Sequence, residues 1–195
     1  VKDLLAASGL VDGSMRLTVT RGCGPRGLLP PAEVQSTVML SCAEAARAVP
    51  GPVRLGVSRY VRDAGSPLSR VKSLNYLPMV MARMEAVAAG YDDALLLDAQ
   101  GNVAEASAAN ILLMLEGQLV TPPVEEGALP GISRARLLEA GLCVEQSVPL
   151  GRMEEVTTGW LVSALSLQPI AAVGAHELRA DPRREVILRE ALFGL

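Results

Sequence analysis

The chain has 195 residues, half of them apolar and only 3% aromatic, which allows one sizeable core or one domain with part of another. A formal net charge of −3 lacks the basic surface typical of nucleic-acid binding, and no apolar run reaches the length of a membrane span. The chain has three cysteines without metal-ligand spacing, Cys23, Cys42 and Cys143, and a single histidine, His176. We therefore expect reduced thiols, no metal site and a cytoplasmic protein.

The first part of the chain predicts a helix followed by strands. Residues 1–7 have the pattern of the middle of an amphipathic helix that ends at Gly9, so we expect the chain to begin partway into its protein. Polar and apolar residues alternate over residues 14–20, with β-branched side chains among them, and predict the first strand. Two further strands are predicted over residues 35–42 and 53–58.

The loop over residues 21–27 contains three glycines and two arginines. Such a loop lets the backbone approach a ligand and holds the guanidinium groups of Arg21 and Arg26 beside it. An ordinary turn with solvated arginines is the alternative. The polar segment at residues 63–67 then predicts a boundary between two domains, residues 1–62 and 63–195.

The larger part mixes short strands with few helices. Asn75 is predicted to cap a helix whose first turn contains Pro78. The predicted helices cover residues 76–89, 129–140, 152–156 and 183–193. The predicted strands cover residues 93–98, 103–105, 111–115, 118–121, 143–148, 160–163 and 169–173. This order favours an α+β fold over a regular βαβ alternation.

Lys72 is one of only two lysines in a chain that has 16 arginines. An amine that loses its proton can attack an aldehyde or ketone, whereas a guanidinium stays protonated. Composition alone leaves open that Lys72 is a surface residue without a chemical role.

Three other positions have side chains or backbone groups suited to binding a ligand. Glu105 is followed by small residues that leave room for a flat ring, although a hairpin-edge glutamate in water fits equally. The helix start at Gly131-Ile132-Ser133 offers free N–H groups to an anion, and Ser163 adds a second hydroxyl at a strand end. Together with a lysine amine, these are the groups that bind pyridoxal 5′-phosphate.

Several segments occur in the order found in class IV aminotransferases, the fold-type IV pyridoxal-phosphate enzymes, which the chain resembles over nearly its whole length. They are KSLNY at 72–76, ALLLD at 94–98, VAEASAANI at 103–111, TPP at 121–123 and LPGISR at 129–134. The resemblance implies the remnant of a small N-terminal α/β domain and a larger C-terminal β-barrel-like α/β domain. It also implies a homodimer that takes a small-molecule amino substrate.

The resemblance also implies site residues. Lys72 matches the Schiff-base lysine, and Glu105 matches the partner of the pyridine nitrogen. The expected contacts of the cofactor phosphate are Ile132, Ser133, Ser163 and Ala164. We expect Arg26 to bind a substrate carboxylate, because its planar fork suits bidentate pairing, and Asn110 to contact the substrate.

Within the family, residues 18–27 and 65–72 are similar to aminodeoxychorismate lyases. D-amino acid aminotransferases share the loop arginine but have a histidine where this chain has Leu28. The implied reaction eliminates pyruvate from 4-amino-4-deoxychorismate to give 4-aminobenzoate, a folate precursor, with Lys72 removing a proton. The alternatives are an aminotransferase that uses D- or branched-chain amino acids with 2-oxoglutarate, and a homologue without catalytic activity.

Overall fold

The computed structural model describes residues 1–44 and 50–194, and the chain divides into two compact units, Val1–Ala48 and Val49–Leu195. In the smaller unit, α1 (Lys2–Ser8) ends at Gly9, as predicted. Strands β1 (Ser14–Thr20) and β2 (Thr37–Ala43) pair antiparallel, with Leu17 opposite Leu40. The predicted helix and both predicted strands of this unit are confirmed, with β2 displaced by one or two residues.

The larger unit is built on one sheet of nine strands, in the order β5-β4-β3-β10-β9-β6-β7-β8, with β11 beside β10. β3 lies parallel to β4 and β10, and β7 lies parallel to β8, whereas the other pairs are antiparallel. The strands are β3 (Val53–Val61), β4 (Asp93–Leu97), β5 (Val103–Ala106), β6 (Asn110–Leu115), β7 (Gln118–Thr121), β8 (Val144–Glu145), β9 (Gly159–Val162), β10 (Leu167–Val173) and β11 (His176–Glu177).

Three longer helices flank this sheet: α2 (Leu77–Ala88), α3 (Ile132–Glu139) and α4 (Pro182–Phe193). α2 packs on β3 and β4 through small residues, with Ala82 and Ala86 against Leu96. Short 3-10 helices occupy Pro67–Arg70, Val124–Glu126 and Leu150–Glu155. In the part of the chain that the structure describes, no helix is long and apolar enough to cross a membrane.

Strand β6 explains how the core fixes the sheet. All six of its residues are buried, and alternate side chains enter two different apolar clusters, Ile111 and Leu113 one cluster and Leu112 and Met114 the other. Successive side chains of a strand point to opposite faces, so a strand covered on both faces has a continuous apolar run. The burial of β6 therefore fixes the position of Asn110 at its first residue.

The two compact units divide between residues 48 and 49, whereas the sequence predicts two domains that divide at 62/63, and that domain division stays a prediction. β3 belongs to the sheet of the larger unit because Leu55 pairs with both Asp93 of β4 and Val173 of β10. The polar segment at residues 63–67 lies inside the larger unit and leads into the 3-10 helix Pro67–Arg70.

Smaller differences occur at element ends. α2 starts after Tyr76, and among the described residues no side chain caps it, so the predicted cap at Asn75 is wrong. Pro78 lacks the N–H that a capping side chain at Asn75 would bind at the third helical position. The predicted strand at 143–148 is reduced to β8, and the predicted helix at 152–156 is the 3-10 helix Leu150–Glu155. The two-residue strand β11 is too short to leave a pattern in the sequence.

Candidate functional site

The larger unit contains a cavity of about 360 Å³. Its walls come from residues between 62 and 79, from the end of β5 and the turn that follows, from the start of α3, and from the end of β9. A volume of this size suits a small-molecule ligand. Seven of the eight predicted site residues line it, namely Lys72, Glu105, Asn110, Ile132, Ser133, Ser163 and Ala164.

Lys72 lies in the loop between the 3-10 helix Pro67–Arg70 and α2, and its side chain is exposed at the cavity. Its Nζ donates a hydrogen bond of 2.7 Å to the Tyr76 hydroxyl and lies 5.2 Å from the centre of that ring. Tyr76 therefore sets the direction of the amine and leaves it accessible to a ligand.

Glu105 has the opposite environment, since it is 7% exposed within the fully buried strand β5. Its Oε1 lies 2.9 Å from Arg62 Nε, and its Oε2 accepts a hydrogen bond of 2.9 Å from the Leu129 N–H. Burial is the largest influence and raises the pKa of the Glu105 carboxyl, whereas the Arg62 guanidinium and the Leu129 N–H oppose that rise.

Asn110 joins this carboxylate to the loop that precedes α3. Its side-chain amide donates to Leu129 O at 2.8 Å and lies 3.4 Å from Glu105 Oε2. A Cβ on Gly131 would approach Asn110 Oδ1 to 2.1 Å, so only glycine allows the loop to lie this close. The amide donors of Asn110 are thus used within the protein, and its predicted contact with a substrate stays a prediction.

The two predicted anion-binding positions lie next to each other. Gly131 precedes α3 and offers no capping side chain, and the first-turn N–H groups of a helix have no intrahelical acceptors. The Ser133 hydroxyl donates to Ser163 O at 2.8 Å, while Ser163 Oγ accepts from the N–H of Ser166 at 3.1 Å. A helix start and a hydroxyl-bearing turn therefore converge on one side of the cavity, a point that the sequence could not establish.

Arg26 is the predicted site residue that does not line this cavity. It lies exposed in the smaller unit, between β1 and β2, and its role stays a prediction. Two charged residues that line the cavity, Arg62 and Arg70, are not among the predicted site residues. Both are arginines among many, and no local spacing marks the contact that Arg62 makes with Glu105 much further along the chain.

A model of the family described as amino-transferase class IV matches residues 1–173, so the chain belongs to this family, whose members are pyridoxal-phosphate-dependent enzymes. The α+β fold is that of the fold-type IV enzymes. The predicted family and fold class are confirmed.

Three similar proteins illustrate the relationship. A Methanocaldococcus jannaschii protein provisionally assigned as a branched-chain-amino-acid aminotransferase is 40% identical over 69% of this chain, and the match spans 47% of that relative's length. A Legionella pneumophila structure, provisionally assigned as a 4-amino-4-deoxychorismate lyase, has a TM-score of 0.87 and 29% identity, covering 95% of this chain and 71% of that one. The branched-chain aminotransferase of the archaeon Thermoproteus uzoniensis, solved with norvaline, has a TM-score of 0.85 and 26% identity, covering 97% and 68% respectively.

Proposed function

We propose that the protein is a pyridoxal-phosphate-dependent enzyme that transforms a small amino substrate in this cavity. One observation supports it: a cavity of about 360 Å³ is lined by an accessible amine, a buried carboxylate and a helix start beside a serine turn. The cofactor needs an amine for its aldehyde, a carboxylate for its pyridine nitrogen and donors for its phosphate. The residues present fit each requirement.

In this proposal each residue acts at a defined group. Lys72 Nζ would hold the cofactor at its aldehyde carbon and, as a free amine, would take the proton from the substrate carbon that bears nitrogen. Tyr76 directs that amine through its hydroxyl, 2.7 Å away. Glu105 would keep a proton on the pyridine nitrogen, and donors at Ile132, Ser133, Ser163 and Ala164 would bind the phosphate. When bound, pyridoxal phosphate accepts the electrons released as the substrate C–H bond breaks.

Two reactions are compatible with the residues that line this cavity. Elimination of pyruvate from 4-amino-4-deoxychorismate is supported by residues 18–27 and by the similarity to the Legionella structure. The alternative is transfer of an amino group from a branched-chain or D-amino acid to 2-oxoglutarate. For branched-chain amino acids it is supported equally well, through the 40% identical archaeal relative. A cytoplasmic homodimer belongs to the same proposal and rests on the resemblance to the family.

Cofactor binding is tested by titrating the protein with pyridoxal phosphate, reducing with borohydride and locating the adduct by peptide mass spectrometry. We expect one adduct, on Lys72. The variant K72A should lose it, whereas K2A, which removes the other lysine, should keep it. An adduct on Lys2, or none at all, would refute the proposed site.

The reaction is tested by incubating the loaded protein with 4-amino-4-deoxychorismate in the absence of an amino acceptor. Release of pyruvate supports the lyase, and its absence refutes it. Formation of glutamate from 2-oxoglutarate and an amino acid supports the aminotransferase. A protein that retains the Lys72 adduct but gives neither product is the homologue without catalytic activity.

A further inference from the structure

Arg62 occupies a buried position that connects several walls of the cavity. It directly follows β3, and its backbone N–H donates to Leu97 O at 2.8 Å. Its side chain is 10% exposed, with Nε donating to Gly127 O at 2.9 Å and Nη2 donating to Ser69 O at 3.0 Å. A Cβ on Gly127 would approach Arg62 Cβ to 2.9 Å, so a glycine there leaves room for the arginine.

The Arg62 guanidinium also pairs with Glu105, the buried acid that lines the cavity. Arg62, Lys72 and Arg134 are the cations that influence Glu105. Within the described residues, only Arg62 lies at ion-pair distance from it, with Nε 2.9 Å from Oε1. Lys72 Nζ bonds to Tyr76, and Arg134 Nη2 bonds to Pro122 O and pairs with Glu145. A buried carboxylate without a paired cation takes up a proton, so the charge of Glu105 depends on Arg62.

Arg62 also reaches the segment that carries the amine. Ser69 belongs to the 3-10 helix Pro67–Arg70, which directly precedes the loop of Lys72. The arginine fork supplies donors in several directions at once, which a lysine ammonium at the end of a flexible chain does not reproduce. One side chain thus links the buried carboxylate to the segment that carries the lysine.

We propose that Arg62 is a positioning residue that keeps Glu105 ionised and directed into the cavity. The nature of the group that Glu105 faces rests on the proposed function, whereas the ionisation of Glu105 does not. The two are therefore tested by separate measurements, one on the cofactor-free chain and one on the loaded chain.

The first measurement is a pH titration of the glutamate side-chain carboxyl signals by NMR on the cofactor-free full chain, with E105Q used to assign Glu105. We expect Glu105 to be ionised at pH 7 in the wild type. In R62Q the acid dissociation constant of Glu105 should fall about tenfold or more, a rise of about one pKa unit. R62K should give a smaller rise. R54Q, which removes an exposed pair with Glu177, should give none.

The second measurement follows the absorbance of bound pyridoxal phosphate against pH. Because the protonation of the ring nitrogen depends on Glu105, the titration midpoint should move in R62Q and stay in place in R54Q. A purely structural role would lower the stability of R62Q without moving the Glu105 pKa in the folded protein. If pyridoxal phosphate does not bind at all, the proposed function fails and the NMR titration still decides the role of Arg62.

Two results would overturn the inference. One is a wild-type Glu105 that is protonated at pH 7. The other is an unchanged Glu105 pKa in a folded Arg62 variant, for which R62K serves if R62Q does not fold.

Discussion

Replacing Gly131 by alanine should loosen the wall of the cavity that joins α3 to the buried carboxylate. The added Cβ would lie 2.1 Å from Asn110 Oδ1 and 3.3 Å from Asn110 Cγ, which is far inside van der Waals contact. Asn110 is 6% exposed at the start of β6, so it cannot turn into solvent without breaking its bonds to Leu129 and Glu105. Either the amide or the loop must therefore move.

The expected cost has two parts. A side chain forced into a packed site costs roughly 1–3 kcal/mol. Loss of the 2.8 Å bond from Asn110 to Leu129 O adds about 1 kcal/mol or more, because it leaves a buried polar group without its partner. Together they predict about 2–4 kcal/mol lower stability in G131A. For a chain of this size that corresponds to a fall in Tm of roughly 4–16 °C.

Guanidinium denaturation of the cofactor-free chain measures this change, with G151A as the matched control. A methyl group on Gly151 would have no neighbouring atom within 4 Å, and the φ of Gly151 is not positive, so alanine should be tolerated there. The double variant N110A/G131A should lose less stability than the sum of the single variants, because the clash is gone. If G131A loses no more stability than G151A, the close approach of Gly131 to Asn110 does not exist.

Three further predictions concern single side chains. K72R should keep the fold, measured by circular dichroism, but give no absorbance band with pyridoxal phosphate, because a guanidinium does not attack an aldehyde. R70Q should raise the KM for a carboxylate-bearing substrate about tenfold with kcat changed less than about threefold, since Arg70 lines the cavity and adds a positive charge to it. Burial raises the pKa of the Cys143 thiol to about 11. The folded thiol should therefore resist alkylation at pH 8, and stability should fall between pH 9 and 11 in the wild type by more than in C143A, measured by urea denaturation at each pH.

Much of the fold follows from local patterns. The run at β6 predicts a strand, and its continuous apolar character is explained by burial on both faces. The starts and ends of α2 and α4 lie within two residues of the prediction, because Pro78, Gly90 and Pro182 limit where a helix can extend.

The parts that local patterns could not give depend on distant partners. β3 has the alternation of a strand, but nothing within it specifies that its neighbours are β4 and β10, the second of which lies more than a hundred residues away. Parallel pairing has no connecting hairpin whose turn residues would mark it. The polar segment at residues 63–67 has the local composition of a linker, so the sequence predicts a domain boundary there although β3 pairs with strands that follow it.

The candidate site shows the same division. Lys72 could be selected because lysine is rare in this chain, Glu105 because small residues follow it, and Ser133 because it lies at a helix start. The family resemblance then assigns each a role. Arg62 could not, because its role comes from a contact with Glu105 that forms only when β3 and β5 flank β4.

The two chemical groups of the site differ in how the fold holds them, and the difference has a consequence for mutation. The Lys72 amine is exposed on a loop and is directed mainly by Tyr76, which suits a group that must move between a cofactor and a substrate proton. Glu105 is buried and has Arg62 and the Leu129 N–H as polar partners, so removing Arg62 takes away the cation that pairs with a buried carboxyl group. Changes at Lys72 should therefore affect chemistry with little effect on folding, whereas changes at Arg62 should affect both.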